Sequence, residues 1–394
     1  MSKQPQNYLD HMCRQSDEIA AVRHDIHHHP ELGFQEFRTS ELVARRLSEW
    51  GYEVEHGLGG TGVVGRLKRG DGGRRLGIRA DMDALPIQEE TGLPYASSRT
   101  GIMHACGHDG HTAMLLAAAQ YLAEHGRFSG TLNLIFQPAE ESLGGAKRMI
   151  EEGLFDKYPC DAVFAMHNMP GAEQGRLMFR EGAAMASSDY VTITLTGKGG
   201  HSAMPHLSVD PVVAAASIIM ALQTIVSRNA DPQQTGVVTV AAIQAGKANN
   251  VIPNTAVLEL SVRSLDRELR RLIEERIRDI VTSQARSFDV KADIDYRQGY
   301  SVLVNTPAET EFAREIGRKL VGADNIEPQC KALTASEDFA FMLEKRPGCY
   351  LFIGNGGRGL PGGCEVHNPG YDFNDRNLPI GAAYWAMLAE EFLR

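Results

Sequence analysis

Three apolar strands in this chain run directly into polar residues for which a hydrophobic core has no use: "RRLGIRADMDALP", "TLNLIFQPAEE" and "CDAVFAMHNMP". Helical patterns stand between them. "HTAMLLAAAQYLAEHG" has helical spacing and closes on Gly126 as a C-cap, and "GGAKRMIEEGLF" is a short helix. Strands separated by helices, with polar groups at the strand ends, predict an α/β sheet whose site lies along that edge.

The pattern changes near residue 187. "SDYVTITLTGKGG" alternates like a half-buried strand. "VDPVVAAASIIMALQTIVSR" is a long helix with Asp210 as N-cap and Pro211 in the first turn. Two strands, an amphipathic helix and a final strand follow, giving β-α-β-β-α-β over 187–298. A chain of 394 residues is too long for one core. The expected organisation is a split α/β catalytic domain, 1–186 and 299–394, its mixed sheet flanked by helices, with an inserted α+β domain at 187–298.

Composition excludes several classes. A formal charge of −10 argues against a nucleic-acid partner. No unbroken run of about 18 apolar residues occurs, so no membrane span is expected. The start of the chain has no apolar stretch like a signal peptide. Six cysteines spread over a large chain are not a disulfide framework, and a reducing cytoplasm is the default.

Four separated places supply metal-ligand chemistry: Cys106 with His108, Glu140 with Glu141, His167, and His367. Glu140 and Glu141 are the sharpest feature. Adjacent carboxylates repel, and a shared buried site needs positive charge, which a metal supplies. One can ligate while the other takes a proton from an attacking water. Alone, a Glu-Glu pair is usually a solvated loop; its place after an apolar strand favours the site. Cys106 is a small buried hydrophobe, a ligand or a nucleophile. His111, at the start of an apolar helix, fits a packing or supporting role better than ligation, and His104 has no assignment. Asp81 and Asp83 are ligands, orienters of a ligand, or a capped turn. The "HHH" at 27–29 is native sequence with no functional role assigned. His201 sits in a Gly-rich turn; Asn250 and Arg263 lie at the two ends of one strand region. Arg263 suits capture of a carboxylate, or is a surface charge.

The stretches "HHHPELGFQE", "RADMDALPIQE", "MHACGHDGHTAMLL", "LIFQPAEESLGGAKRMIEEG", "MHNMPG", "GKGGHSAMPH", "NVIPNTA", "TASEDFAF" and "HNPGYDFND" follow one another along nearly the whole chain. Together they strongly resemble the M20 metallopeptidase/amidohydrolase family. Within it the resemblance is to the aminoacylase-like branch of hippurate hydrolases, auxin-conjugate hydrolases and N-acetyl-diaminopimelate deacetylases. The resemblance implies a two-domain enzyme with two divalent metals, Mn or Zn, with Ni or Co also compatible. Cys106 falls where other branches have a bridging Asp, and His108, Glu141, His167 and His367 match the remaining ligands. Glu140 matches the general base and Asp83 the aspartate that orients a ligand. Where many branches carry His, this chain has Asp81, which leaves the partition of ligands between the metals open. His201 matches a lid histidine that reaches the reacting carbonyl, sometimes from a partner subunit. Asn250 and Arg263 match residues that hold the substrate's α-carboxylate. The implied reaction is hydrolysis of N-acyl amino acids by a cytoplasmic homodimer or homotetramer assembled through the insertion. A dipeptidase or carboxypeptidase on the same site, a catalytically silent relative and a cysteine hydrolase are the rivals.

Overall fold

The computed structural model describes residues 5–141 and 143–394. They divide into two compact units. The first combines the chain up to Gly182 with Val304–Lys331 and Asp338–Arg394; the second holds Ala183–Leu303 and takes back Ala332–Glu337. The expected insertion ends at 298 and leaves 332–337 outside it. The return is made by backbone: Met185 bridges Leu333, and the Ala186 N–H donates to the carbonyls of Leu333 and Ala335. Six residues without strand period carry no signal for this in the sequence.

The first unit is built on an eight-stranded mixed sheet. Glu53–Leu58 and Gly62–Arg69 form an antiparallel edge pair, and Gly62–Arg69 also runs antiparallel to Gly130–Gln137. From there Gly130–Gln137, Arg75–Asp81, Ala162–Pro170 and Gly348–Gly356 run parallel to one another. Two short strands, Leu177–Met178 and Ile326–Glu327, complete the far edge. The parallel strands are buried on both faces, which is why they read as continuous apolar runs rather than alternating ones. The helices His108–His125 and Leu378–Phe392 pack on each other and are buried almost all round, so neither is amphipathic. Register then sets the site. Asp81 faces Gln137, and Arg79 faces Ala165 two residues before His167. Asp81, the start of the Glu140 loop and His167 therefore emerge at one level of the sheet's carboxyl edge.

The second unit is a four-stranded antiparallel sheet in the order Gly236–Ala245, Thr255–Ser264, Ser187–Thr196, Lys291–Gln298. Pro211–Thr224 and Arg267–Ser287 share its core with Ile193, Leu195, Leu258 and Leu260. Asp210 caps the first helix by accepting the Val212 N–H at 2.8 Å, and Asp266 caps the second through Leu269 at 2.8 Å. The helical stretch Pro211–Asn229 is long and apolar enough, by length and composition, to cross a membrane. It is not an unbroken apolar run, because Ser217, Gln223 and Thr224 interrupt it. In this unit Ala214, Ala215, Ile218 and Leu222 of the helix sit in the core, while Val213 and Met220 are exposed.

Candidate metal centre

Cys106 and His108 flank Gly107, which has φ 89°. A Cβ at Gly107 would stand 2.3 Å from Asn168 Nδ2 and 2.5 Å from Tyr371 Oη. Only glycine fits that left-handed, crowded position, and it brings the thiol and the imidazole together at the start of the buried helix. His108 Nδ1 is held at 3.2 Å by Asp83 Oδ1, whose other oxygen accepts the Glu141 N–H at 2.9 Å. Asp83 thus orients one donor side chain and the backbone of another. His108 Nε2 is buried and has no hydrogen-bond partner among the described residues.

His167 donates from Nδ1 to the carbonyl of Asn168 at 2.7 Å. A carbonyl can only accept, so Nε2 carries the lone pair, and it stands 3.3 Å from Cys106 Sγ. On the other side Glu141 Oε1 lies 3.1 Å from His367 Nε2. His367 occupies the left-handed region at φ 63°, fixed by its N–H bond to the Ala105 carbonyl at 2.7 Å. The donor atoms of Cys106, His108 and His167 lie within 4.8 Å of one another, and so do those of Cys106, Glu141 and His367. The thiol belongs to both sets. Glu140 falls with His108 and Glu141 in a third group of the same span.

The electrostatics ask for cations. Burial, then Glu141, Glu140 and Asp81, push the Cys106 thiol well above its ordinary value. Such surroundings oppose a free thiolate, and a nearby cation would reverse that. Burial opposes charge on His108, yet Asp81, Asp83 and Glu141 overcome it and raise the imidazole to about 10. Without metal, a proton on His108 answers the surrounding carboxylates. An unpartnered buried nitrogen, a shared thiol and a carboxylate surplus fit a pair of divalent ions.

Asp81, His108 and His111 also lie within 4.8 Å of one another, but Asp81 and His111 are already engaged with other groups. Arg79 donates to Asp81 Oδ2 at 2.6 Å, and His111 Nδ1 to Oδ1 at 2.6 Å. His111 Nε2 accepts the Asn168 N–H at 3.0 Å. His111 therefore ties a strand end to the helix start. Asn168 escapes the sequence reading although it is the hub here: its Nδ2 donates to the Cys106 carbonyl at 2.6 Å and its Oδ1 accepts from Tyr371 at 2.8 Å. Its position beside His167 at a strand end was the available signal.

In the second unit His201 is exposed on a two-residue strand paired with Val251, and its Nδ1 accepts the Ala203 N–H at 3.0 Å. Asn250 adjoins it through its carbonyl, which accepts from Ser202 at 3.2 Å. Arg263 donates to Ser336 Oγ at 3.0 Å from the other end of Thr255–Ser264. Eight residues of strand, roughly 25 Å, separate that end from the His201 hairpin. The structure brings His201 and Asn250 together and leaves Arg263 apart.

A mixed sheet with clustered imidazole, thiol and carboxylate donors at its carboxyl edge defines a metal-dependent hydrolase. The chain belongs to peptidase family M20/M25/M40, which it matches over residues 77–391. It is 47% identical over 388 residues to the hippurate hydrolase of Campylobacter jejuni, covering 98% of this chain and 100% of that one. It is 39% identical to the N-acetyl-L-cysteine deacetylase of Bacillus subtilis, covering 93% and 86%. Among solved structures, a Bacillus subtilis protein described as a dinuclear metal-binding peptidase of family M20 superposes with a TM-score of 0.83 at 34% identity, covering 96% of this chain and 98% of that one.

Proposed function

We propose that this enzyme hydrolyses the amide bond of N-acyl amino acids, hippurate-like or N-acetyl, to a carboxylic acid and a free amino acid. The observation that carries it is a buried carboxylate, Glu140, beside two donor sets that share one thiol. Cys106, His108 and His167 would hold one divalent ion, and Cys106, Glu141 and His367 the other. When bound, the ions supply Lewis acidity that makes water a better nucleophile and an amide carbonyl a better electrophile. Glu140 takes the proton of the attacking water and delivers it to the leaving nitrogen. Asp83 keeps His108 and Glu141 in place while this happens. His201 donates to the carbonyl oxygen as it gains charge, and Asn250 and Arg263 take the substrate's α-carboxylate. Imidazole and thiolate suit zinc and the carboxylate suits manganese, so both metals are to be tried, with nickel and cobalt beside them.

The separation of Arg263 from His201 and Asn250 exceeds what one small substrate spans, which supports a homodimer or higher homo-oligomer in which two copies complete the set. Val213, Met220 and Ile243 of the second unit are exposed apolar side chains, Ile243 on an edge strand, and their exposure favours such an association. A metal-bridging thiol is damaged by oxidation, which supports a reducing cytoplasm.

The test is amine release from benzoyl, acetyl and indoleacetyl amino acids and from dipeptides, with Mn- and Zn-loaded protein. N-acyl amino acids are expected to exceed dipeptides in kcat/KM, and Glu140→Gln to lower kcat by about 10²–10⁴-fold with metal retained. A flat substrate profile, or undiminished turnover by Glu140→Gln, overturns the reading.

A further inference from the structure

The stretch "HHHPELGFQE" contains two glutamates that neither donor set uses. Glu31 serves the next helix: its oxygens accept the N–H groups of Arg38 at 3.1 Å and Thr39 at 2.9 Å, in the first turn of Phe37–Glu49. Glu36 serves something else. It is fully buried, with one oxygen accepting the Ala139 N–H at 2.8 Å and the other accepting the Thr61 hydroxyl.

Ala139 stands directly before Glu140, and its φ of 54° is in the left-handed region that a residue with a Cβ avoids. The surroundings impose it from three sides. Glu36 holds its N–H; its carbonyl accepts the Gly145 N–H at 3.0 Å; and Gly33 packs so closely that a Cβ there would come within 3.0 Å of both Ala139 Cα and Cβ. Burial raises the Glu36 carboxyl to about 7 against the pull of its hydrogen bonds, so an ionisable group is kept here at a cost in stability.

We propose that Glu36 is a positioning residue for catalysis: by holding the Ala139 N–H it sets the left-handed turn from which the Glu140 carboxylate is presented beside the donor sets. The proposal rests on Glu140 being the general base. It gives the first sequence motif a role that lies outside metal binding.

The experiment compares Glu36→Ala, Glu36→Gln and Thr61→Val in the metal-loaded enzyme, with Val43→Ala as a buried control on the neighbouring helix. Gln keeps an oxygen for the Ala139 N–H, and Ala does not. Glu36→Ala is expected to lower kcat by about 10–100-fold, the scale for a misplaced catalytic group, with KM and metal content unchanged. Glu36→Gln is expected to recover most of that loss, Thr61→Val to show a smaller fall, and Val43→Ala to lose thermal stability with kcat intact. If Glu36→Ala does not fold, Glu36→Gln and Thr61→Val against Val43→Ala decide the matter: a fall in kcat for Thr61→Val alone supports the role, and parental kcat for Thr61→Val overturns it. Unchanged kcat in Glu36→Ala, metal lost along with activity, or Gln no better than Ala overturns the role. Glu140→Gln is measured in parallel. Activity surviving there sinks the base assignment itself, whereas an inactive Glu140→Gln beside a fully active Glu36→Ala sinks the positioning alone.

Discussion

Two histidine-rich stretches, 24–29 and 104–111, look alike in composition and are used in opposite ways. In the first, the side chains are spoken for. His27 is fully buried, with Nδ1 at 2.8 Å from Asp109 and Nε2 at 3.3 Å from Glu89. His24 pairs with Asp375, while His28 and His29 bond the carbonyls of Ala96 and Asp25. In the second, among the described residues, His111 has both nitrogens engaged, His108 has one held and one bare, and His104 has neither engaged. A ligand histidine is one whose far nitrogen is held so that the near one is offered. Among the buried histidines of the two stretches, the partnered nitrogens separate His108 from His27 and His111 where residue type and spacing do not.

The hardest test of that distinction is at the shared thiol. Cys106→Ala removes a donor from both sets and is expected to empty both, with activity falling about 10³-fold or more as several kcal/mol of charge stabilisation is lost. His108→Ala removes a donor from one set only, so metal titration of the two variants should differ in stoichiometry. Equal metal content in Cys106→Ala and the parent protein would falsify the sharing.

The opposite outcome is expected for His27→Ala. Metal content should hold, and stability should fall by about 3 kcal/mol or somewhat more, because buried Asp109 loses a partner and keeps Arg23 at 3.3 Å. The pH dependence has a definite sign. Burial disfavours the His27 charge, but Asp109 and Glu89 raise it from 6.5 to about 9. That stabilisation, on the order of 3 kcal/mol, is fully present below pH 6.5 and is lost as pH rises through 9. Thermal melts from pH 6 to 10 should show the decline in the parent and not in His27→Ala. Loss of metal in His27→Ala at saturating ion would move the first stretch into the site.

Between these lies Asp83→Asn, which keeps the shape and removes the charge behind His108. Metal affinity is expected to weaken by about 10–100-fold with full occupancy at high ion, checked by competition with a chelator. An unchanged affinity would mean that His108 needs no orienting carboxylate.

Why some of this was legible in the sequence follows from range. Long strands buried on both faces announce themselves as apolar runs, and Gln137 leads into Glu140 along the backbone, so the carboxylate pair and the sheet could be placed together. Leu177–Met178 and Ile326–Glu327 are two residues each and have no period to detect. His108 and His111 are three apart, on one side of a helix start, so spacing treats them alike. Asp81 and Asn168, far away in the chain, decide between them. His27 finds its partners 62 and 82 residues on, and nothing local to "HHH" marks that. Arg263 matched a family role, but the strand that carries it puts it far from Asn250 in the same copy.

His104 gives the smallest effect and the finest discrimination. It is buried with neither nitrogen partnered among the described residues, neither strut nor offered ligand. An unsatisfied buried polar group costs about 1–3 kcal/mol, and an apolar side chain of similar volume removes that cost. His104→Leu is therefore expected to leave metal content and kcat unchanged and to melt at or slightly above the parent near pH 7. Burial lowers its pKa from 6.5 to about 4, so the folded protein refuses a proton that the unfolded chain accepts. Stability is consequently lost as pH falls from 6.5 through 4, by an amount on the order of 3 kcal/mol, and His104→Leu should abolish that loss. A drop in metal content or turnover in His104→Leu would show that an unpartnered nitrogen can also be an offered one, and the held nitrogens would no longer separate the buried histidines of these two stretches.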